Sequence, residues 1–446
     1  MIQLQPIAPL IKKILREQIY QNETEYRWAS FVLVVQYDNG HLLYNVMTKE
    51  LLFLNEQEFN NIKCDNGILV KKWFLVPISF HEKIIADQVK QLLATINSRR
   101  GDICNYTIFT TTSCNAQCSY CFESKYYKLR MNKVIANETT QFMIRNSHAG
   151  NVNIQWFGGE PLLNMRAIDQ ICFGLKKADV SFVSSMTTNG YLFSESVVEK
   201  CKNLWMLNSV QITLDGTEKK YNDIKSYVYK HGNPFKKVYN NIELLLSKQI
   251  DVTIRLNVSL ENSNDIYELI KKLVSDYSGC NHLSIYVHPL FELINDRSQR
   301  NDIVEKLIFL HSLIDDYSLG KEYTSLYKPR IHNCKADANG RSVVIFPDGN
   351  IGLCDHQWQS DYIGNVISDT LDNSIIRKWQ THIPFSTQCA SCLLYPDCLK
   401  LRNCDTNNHC FTEFLEFDKF RLKCAIINKY KTIKSKNETE VQNTNK

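Results

Sequence analysis

The chain has 446 residues, 52 Lys and Arg against 47 Asp and Glu, and sixteen cysteines. It is long enough for two or three domains with cores of their own, and a net charge of only +5 gives no reason to expect a nucleic-acid partner. No export signal is expected, because Lys12 and Lys13 interrupt the early apolar residues, and no run is long and apolar enough to span a bilayer. Clustered thiols in such a chain read as metal ligands in a reducing cytoplasm rather than as the disulfides of a secreted protein, and the sequon at Asn137 carries no meaning there.

Residues 1–100 read as a small α+β module. Phe31–Val35 and Leu42–Val46 are apolar, β-branched runs around Asp38, Asn39 and Gly40, a hairpin signal because Asn-Gly suits the positive φ angles of a tight turn. Glu50–Leu54 reads as a third strand. Asn55–Ile62 and His81–Ser98 read as helices, the second with Ile84, Ile85, Val89, Leu92 and Leu93 on one face. Cys64 and Cys104 read as packing residues.

From 101 to 330 strands and helices alternate. Strands are expected at Tyr106–Thr112, Val152–Phe157, Ser181–Thr187, Ser209–Leu214, Val252–Val258 and Leu283–His288. Helical periodicities fall between them at Asn164–Lys177, Glu195–Asn203, Phe235–Ser247 and Asp265–Tyr277. The alternation implies parallel β/α units, six of which make a partial barrel whose chemistry gathers at the C-terminal strand ends. Residues 331–427 form a third unit with eight cysteines and few long helices. The stretch 428–446 is polar, rich in Lys, Asn and Glu, and expected to be a disordered tail.

Cys114, Cys118 and Cys121 stand at C-x3-C-x2-C spacing just after the first strand of the alternation. Three thiols can hold three irons of a [4Fe–4S] cube and leave the fourth iron open to a small molecule. Zinc, the other metal reading, takes four ligands, usually in paired C-x2-C units, and no fourth lies nearby. The second strand runs into Gly158, Gly159, Glu160 and Pro161, where two glycines allow close backbone approach and a carboxylate follows. Alone, that run is a surface turn. The third strand ends in Thr187, Thr188, Asn189 and Gly190, short polar groups that suit ribose hydroxyls or an ordinary Asx turn. The fourth ends in Thr213, Leu214, Asp215 and Gly216. Arg255 and Asn257, near the end of the fifth, are weaker candidates, a salt-bridged surface arginine being the default.

Farther on, Cys334 and Cys354 flank a turn at Pro347, Asp348 and Gly349 and could face each other across a hairpin. Cys389, Cys392, Cys398 and Cys404 run as C-x2-C-x5-C-x5-C, followed by Cys410 and Cys424. C-x2-C spacing alone does not separate zinc from iron–sulfur. Cys172, Cys201 and Cys280 lack ligand spacing and read as structural thiols.

Together these residues resemble radical S-adenosylmethionine (radical SAM) enzymes with a C-terminal SPASM domain, of the type that matures ribosomally made peptides. The triad, with Tyr120 just before its third cysteine, resembles the family's cluster loop; Gly158, Gly159 and Glu160 resemble its Gly-Gly-Glu motif; and Thr213 to Gly216 resemble its Ser-Leu-Asp-Gly segment. The resemblance implies an α/β fold: a partial (β/α)6 radical SAM barrel, preceded by the α+β module and followed by a Cys-rich SPASM domain. It implies a [4Fe–4S] cluster on Cys114, Cys118 and Cys121, with S-adenosylmethionine held by Tyr120, Gly158, Gly159, Glu160, Thr188, Asn189 and Thr213. Where relatives continue to a His-Asp pair and an Arg, this chain has Tyr221, Asn222 and Lys225, of which Lys225 could still pair with a carboxylate. Auxiliary clusters are implied on Cys334, Cys354 and Cys404, and on Cys389, Cys392, Cys398 and Cys424. Two departures bear on the first of these. The family's second cysteine, six after the first, is Gly340 here, and its usual x3 gap is x5. That cluster then has an open iron or takes Cys410.

The implied activity is reductive cleavage of S-adenosylmethionine to a 5′-deoxyadenosyl radical. The radical takes hydrogen from a ribosomally made precursor peptide, and a thioether or carbon–carbon crosslink forms. The implied partners are that peptide and an electron donor such as a flavodoxin or ferredoxin, with no nucleic acid and no membrane, in the cytoplasm. Leu43, Tyr44 and Asn45 through Leu54, then Phe74 to Pro77, resemble a leader-peptide recognition element, which binds an extended peptide by strand addition, or else form a packing module. Two alternatives stand beside this one: an anaerobic sulfatase-maturase-like enzyme making formylglycine, and a non-catalytic iron–sulfur scaffold that binds peptide or passes electrons. No residue stands out as catalytic acid or base.

Overall fold

The structure is a computed structural model, and it describes residues 2–4, 25–62, 67–88, 102–147, 152–229, 231–290, 297–317, 319–320, 336, 341–356, 362–379, 389, 392–398 and 412–444. Two compact units result, one of residues 1–97, 322–334 and 382–446, the other of 98–321 and 335–381. Among the described residues no helix is long and apolar enough to cross a membrane.

The first unit contains β1 (Ile2–Leu4), β2 (Tyr26–Trp28), β3 (Val32–Tyr37), β4 (Gly40–Asn45), β5 (Leu51–Asn55) and β6 (Leu75–Pro77). β1, β5, β4 and β3 form an antiparallel sheet in that order, with β2 and β6 paired separately. The expected hairpin is present, but its turn is Asp38 and Asn39, with Asp38 in the left-handed region. Gly40 already belongs to β4. Glycine is needed there because any Cβ would run into the Leu54 carbonyl of β5. Asn55 and Glu58 form a reciprocal capping box on the helix Glu56–Asn60. The helix expected at 81–98 is described only over 82–88.

The disordered tail expected at 428–446 is corrected by this unit. Thr412–Thr444 is one helix, and Leu422, Ile426, Tyr430 and Ile433 pack into the core with Phe31, Val35, Leu42, Tyr44 and Leu51. Their spacing of four, four and three makes a single apolar stripe. Tyr430 stacks on Phe53 at 5.0 Å and meets Tyr37 edge-on at 5.9 Å. Polar composition hid a stripe that has a sheet to bind.

The second unit holds β7 (Asn105–Thr111), β8 (Val152–Gly158), β9 (Phe182–Thr188), β10 (Leu207–Leu214), β11 (Asp251–Val258) and β12 (Leu283–Pro289), all parallel and in sequential order. Each lies within two residues of its expected limits. The sheet continues past β7 into β13 (Ser342–Ile345), β14 (Asn350–Gly352), β15 (Gly364–Asn365) and β16 (Thr370–Leu371). β13 pairs in parallel with β7, Ser342 beside Asn105 and Ile345 beside Ile108. Part of the expected third unit is therefore barrel sheet, because the outer edge of β7 needs a hydrogen-bonding partner. The described residues from 389 onward belong with the first unit.

The parallel strands are two-faced. On β11, Val252, Ile254 and Leu256 are fully buried, and the helices Pro234–Ser247 and Ser263–Tyr277 pack on this strand. The alternate side chains are polar and half-buried, and they bond across strands. Tyr286 OH donates to Gln211 Oε1 at 2.9 Å, Gln155 Nε2 donates to Thr187 Oγ1 at 3.4 Å, and the Thr253 and Ser284 hydroxyls lie 3.1 Å apart. A period of two puts one set of side chains under the helices and leaves the other set lining the inner face.

Candidate functional site

The cysteine loop starts where β7 ends. Thr112 donates its hydroxyl to Tyr127 O at 2.5 Å and accepts from Leu129 N at 2.8 Å, while Met131 N donates to Thr110 O at 2.9 Å. The chain thus returns over its own strand and fixes the root of the loop. Cys114, Cys118 and Cys121 follow, each half-buried. Burial pushes the Cys114 thiol up to about 12, with further rises from Glu160, Cys118 and Cys121; burial and then Glu123 raise Cys121. Thiols that disfavour one another's ionisation suit a cationic partner. Among the described residues no three His, Cys, Asp or Glu side chains converge as a single bound ion would require. A four-iron cube spreads three thiolates over three irons.

The end of β8 presses against this loop. Gly159 N donates to Thr111 O at 3.1 Å and Glu160 N to Ser113 O at 2.9 Å. Gly158 has φ +119°, and a Cβ on either glycine would overlap a carbonyl oxygen, that of Thr111 for Gly158 and of Ser113 for Gly159. Two glycines are what lets the strands approach so closely.

Glu160 is fully buried and ties β8 to β9. Its carboxylate accepts from Thr188 Oγ1 at 2.8 and 2.9 Å, from Asn189 N at 2.9 Å and from Leu162 N at 3.1 Å. Burial raises its pKa to about 7, while those donors and Lys225 hold it down. Asn189 does two things at once. Its Oδ1 accepts from Tyr191 N at 3.0 Å in an Asx turn, and its Nδ2 donates to Asn115 Oδ1 at 2.7 Å inside the cysteine loop.

A buried triangle joins the loop to β10. Tyr120 OH donates to Asp215 Oδ2 at 2.8 Å, and Lys225 Nζ lies 2.8 Å from Asp215 Oδ2 and 2.9 Å from Tyr120 OH. The expected carboxylate partner of Lys225 is therefore Asp215. The backbone adds Gln117 N to Lys225 O at 2.9 Å and Val228 N to Asn115 O at 3.0 Å. The Tyr120 hydroxyl is committed to this triangle. Asp215 Oδ1 is buried and has no hydrogen-bond partner among the described residues. Thr213 sits half-buried on the polar face, beside Arg255 in the register. Arg255 is half-buried and bonds to Asn257 and His288, and among the described residues it has no ion pair, unlike the salt-bridged surface arginine expected by default.

The triad, Gly158 to Glu160, and Thr188 with Asn189 are thus brought together by direct bonds. The sequence reading missed Asn115 and Asn262. Asn262 is buried and donates to Asp215 O at 3.0 Å and Asn257 O at 2.8 Å. It also missed Glu123, buried with a pKa raised to about 8 by burial and then by Asp355. A carboxylate two residues past Cys121 was the available signal.

Of the other thiols, Cys354 follows β14 in the second unit, past the expected turn at Gly349. Cys389, Cys392 and Cys398 lie in the first unit on successive turns, with Cys389 and Cys392 packed on the core that holds Leu422, two residues before Cys424. Cys334, Cys404 and Cys410 lie outside the described residues. Cys172 and Cys201 are buried on helices with raised pKa values, as structural thiols should be. Cys280 is half-buried.

Residues 108–273 match the Radical SAM superfamily model. The chain carries a radical SAM domain. The matched stretch opens inside β7 and takes in the cysteine loop, the glycine pair, Glu160, Asn189 and the Asp215–Lys225 pair. A GTP 3′,8-cyclase of Clostridium botulinum is 29% identical over 312 residues, 64% of this chain and 93% of the cyclase. The shares of the curated relatives that this chain covers run from 55% to 93%. The fold is similar to that of native anSMEcpe with bound AdoMet and Cp18Cys peptide (TM-score 0.56, 17% identity, 74% of this chain and 99% of that one). It is also similar to Streptococcus suis SuiB bound to precursor peptide SuiA (TM-score 0.50, 14% identity, 87% and 97%). Radical SAM proteins work with a [4Fe–4S] cluster and S-adenosylmethionine. The donor set fits: three thiols for three irons, and beside them a cradle that two Cβ atoms would fill.

Proposed function

We propose that this protein is a maturase that crosslinks a ribosomally made peptide. The observation that carries the reading is the convergence of the β8, β9 and β10 ends on the cysteine loop through Gly159, Asn189 and the Asp215–Lys225 pair. In this reading Cys114, Cys118 and Cys121 hold the cluster. Tyr120, Gly158, Gly159, Glu160, Thr188, Asn189 and Thr213 shape the cofactor's seat, with the glycine pair supplying close backbone and Glu160 holding β9 in place. Bound there, cluster and cofactor supply hydrogen abstraction by a 5′-deoxyadenosyl radical.

A crosslink removes two hydrogens from the peptide. One would leave as the abstracted atom and the other as a proton, and an auxiliary cluster held by the C-terminal cysteines would be the acceptor for the remaining electron. In this reading Cys389, Cys392, Cys398 and Cys424 are the ligands of one such cluster. β3 is an edge strand of the N-terminal sheet and offers a place for an extended leader peptide. Both similar structures hold a bound peptide, which supports a peptide substrate here.

The test is an intact mass after anaerobic co-expression with a short Cys-bearing peptide encoded beside the gene. A loss of two hydrogens per site, absent when Cys114, Cys118 and Cys121 are replaced by Ala, is the expected result. An unchanged mass with 5′-deoxyadenosine release would favour a protein substrate, as in formylglycine formation. No 5′-deoxyadenosine at all would favour the scaffold.

A further inference from the structure

The return of the chain after the cysteine loop carries charge that the fold does not use. Residues 124–137 hold Lys125, Lys128, Arg130 and Lys133 and no acid, in a chain whose whole net charge is +5. All four are exposed, as is Arg166, and Arg130 Nη2 donates to Leu163 O at 2.8 Å, three residues before it. Among the described residues none of the five has an ion pair. On helices of the same unit, by contrast, Lys200, Lys248, Lys271 and Lys272 pair with Asp169, Glu199, Glu268 and Asp276. Two of the five stand where a helix disfavours a cation. Lys133 opens the helix Lys133–Asn146, Arg166 is in the first turn of Met165–Lys177, and neither first turn has an acid. The charge of Lys128 reaches Glu123, but that carboxyl is buried and does not offset the strip toward solvent.

Tyr127, 72% exposed, and Val134, 62% exposed, stand among these cations. An exposed aromatic with Arg and Lys around it has the make-up of an interface centre and its rim, and unpaired cations steer an acidic partner toward it. The strip also lies against the cysteines. Lys125 ends the turn that Cys121 caps. Arg130 bridges to Thr111, and Lys128 Nζ donates to Thr112 O at 3.3 Å, two residues before Cys114. Burial raises the Cys121 thiol, and the Lys128 charge works against that rise. A partner seated here therefore stands beside the cysteine loop without entering the barrel. A substrate must go farther, to the polar inner face. Electron transfer needs nearness alone, because it forms no bond and falls steeply with distance. The Tyr127 ring suits the exposed edge of a flavin, which is itself a flat aromatic surface.

We propose that Lys125, Tyr127, Lys128, Arg130 and Lys133, with Arg166, form the docking surface for an acidic flavodoxin. One electron leaves the partner's reduced flavin and enters the [4Fe–4S] cluster with which the radical SAM domain works. The need for that electron rests on the domain and its cluster, not on the substrate proposed above. A failed crosslinking assay therefore leaves this surface standing, and a failed docking assay leaves the proposed substrate standing.

The test uses the full-length, cluster-loaded protein under anaerobic conditions, with a recombinant acidic flavodoxin as the probe. Isothermal titration gives the dissociation constant for wild type, for Lys125→Glu with Lys133→Glu, for Tyr127→Ser, and for a control, Lys306→Glu with Lys423→Glu. The control pair is also exposed and changes the net charge equally. The strip variant should weaken flavodoxin about tenfold or more at low salt, and the difference should shrink as salt is added. Tyr127→Ser should weaken it at both salt levels, and the control should stay within twofold. Stopped-flow reduction of the cluster by reduced flavodoxin should slow in the strip variant, while photoreduced 5-deazariboflavin, small and uncharged, should reduce it at the wild-type rate. Unchanged flavodoxin binding in the strip variant overturns the proposal. So does an equal loss in the control, which would make the effect one of net charge, or an equal slowing with deazariboflavin, which would place the damage in the cluster loop. Loss of precursor-peptide binding with flavodoxin binding intact would give the strip to the substrate, and a ferredoxin that binds where flavodoxin does not would overturn the flavin partner.

Discussion

Replacing Lys225 by Met removes the only cation that pairs with Asp215 among the described residues. Asp215 is fully buried; among the described residues its Oδ1 has no hydrogen-bond partner, and after the change its Oδ2 keeps only the Tyr120 hydroxyl. Burial by itself pushes the Lys225 ammonium toward neutrality, but Asp215 and Tyr120 beside it lift its pKa above the usual lysine range, so the native pair is charged. Removing one partner of a buried pair costs about 3–5 kcal/mol, because the other charge stays in a place that cannot solvate it. That is a large share of the roughly 5–15 kcal/mol that holds a domain together. The cost falls where the cysteine loop is docked, since Gln117 and Tyr120 both bond to this pair's residues. Lys225→Met should therefore lose hydrogen-exchange protection in the segment 114–121 and hold less iron after reconstitution, while the segment 26–55 is unchanged. Adding Asp215→Asn should restore most of the protection, because no buried charge is then left alone. Normal protection and iron content in Lys225→Met, or no recovery in the double variant, would refute the reasoning.

Three further outcomes follow from the same geometry. Gly159→Ala puts a methyl group into the Ser113 carbonyl, so β8 must move from the loop; iron content and S-adenosylmethionine binding should both fall, by tenfold or more for the latter on the order of overpacking costs. Glu160 has its pKa raised from 4.5 to about 7, so the folded state holds a proton that the unfolded chain gives up earlier. In cluster-free protein, stability should decline as pH rises from about 5 to 7 by up to roughly 3 kcal/mol, and Glu160→Gln should flatten that slope in urea titrations. Tyr430→Ala removes the stack on Phe53 and the edge contact with Tyr37, and should destabilise the N-terminal sheet by about 3–5 kcal/mol, read as faster exchange in 26–55. If deleting residues 428–446 leaves that exchange unchanged, the C-terminal helix is not part of the core.

Much of this was legible in the chain because the interactions are local. Period-two strands such as Val252–Val258, amphipathic helices between them, and the C-x3-C-x2-C loop need only near neighbours to be recognised, and their limits came within a residue or two. The glycine pair was also readable, although its reason was not. Only the fold shows that the carbonyl oxygens of Thr111, at the end of β7, and Ser113, in the cysteine loop, occupy the space of the missing side chains.

Other features depend on what packs against them from far along the chain. Leu422, Ile426 and Tyr430 sit in a helix whose polar end masked their stripe, and nothing nearby in sequence says that a sheet made by residues 31–55 will cover it. Ser342–Ile345 became a barrel strand because β7 offered an open hydrogen-bonding edge, a property of the assembled sheet. The same holds for chemistry. The amino-acid sequence by itself determined which residue types are present and where the strand ends fall, because those follow from local periodicity and spacing. Tertiary structure alone decided that Lys225 answers Asp215, that Asn189 reaches Asn115, and that Arg255 is turned by Asn257 and His288 rather than by an acid. Charges and hydrogen bonds act over a few ångströms, and only the folded sheet brings residues so distant in sequence within that reach.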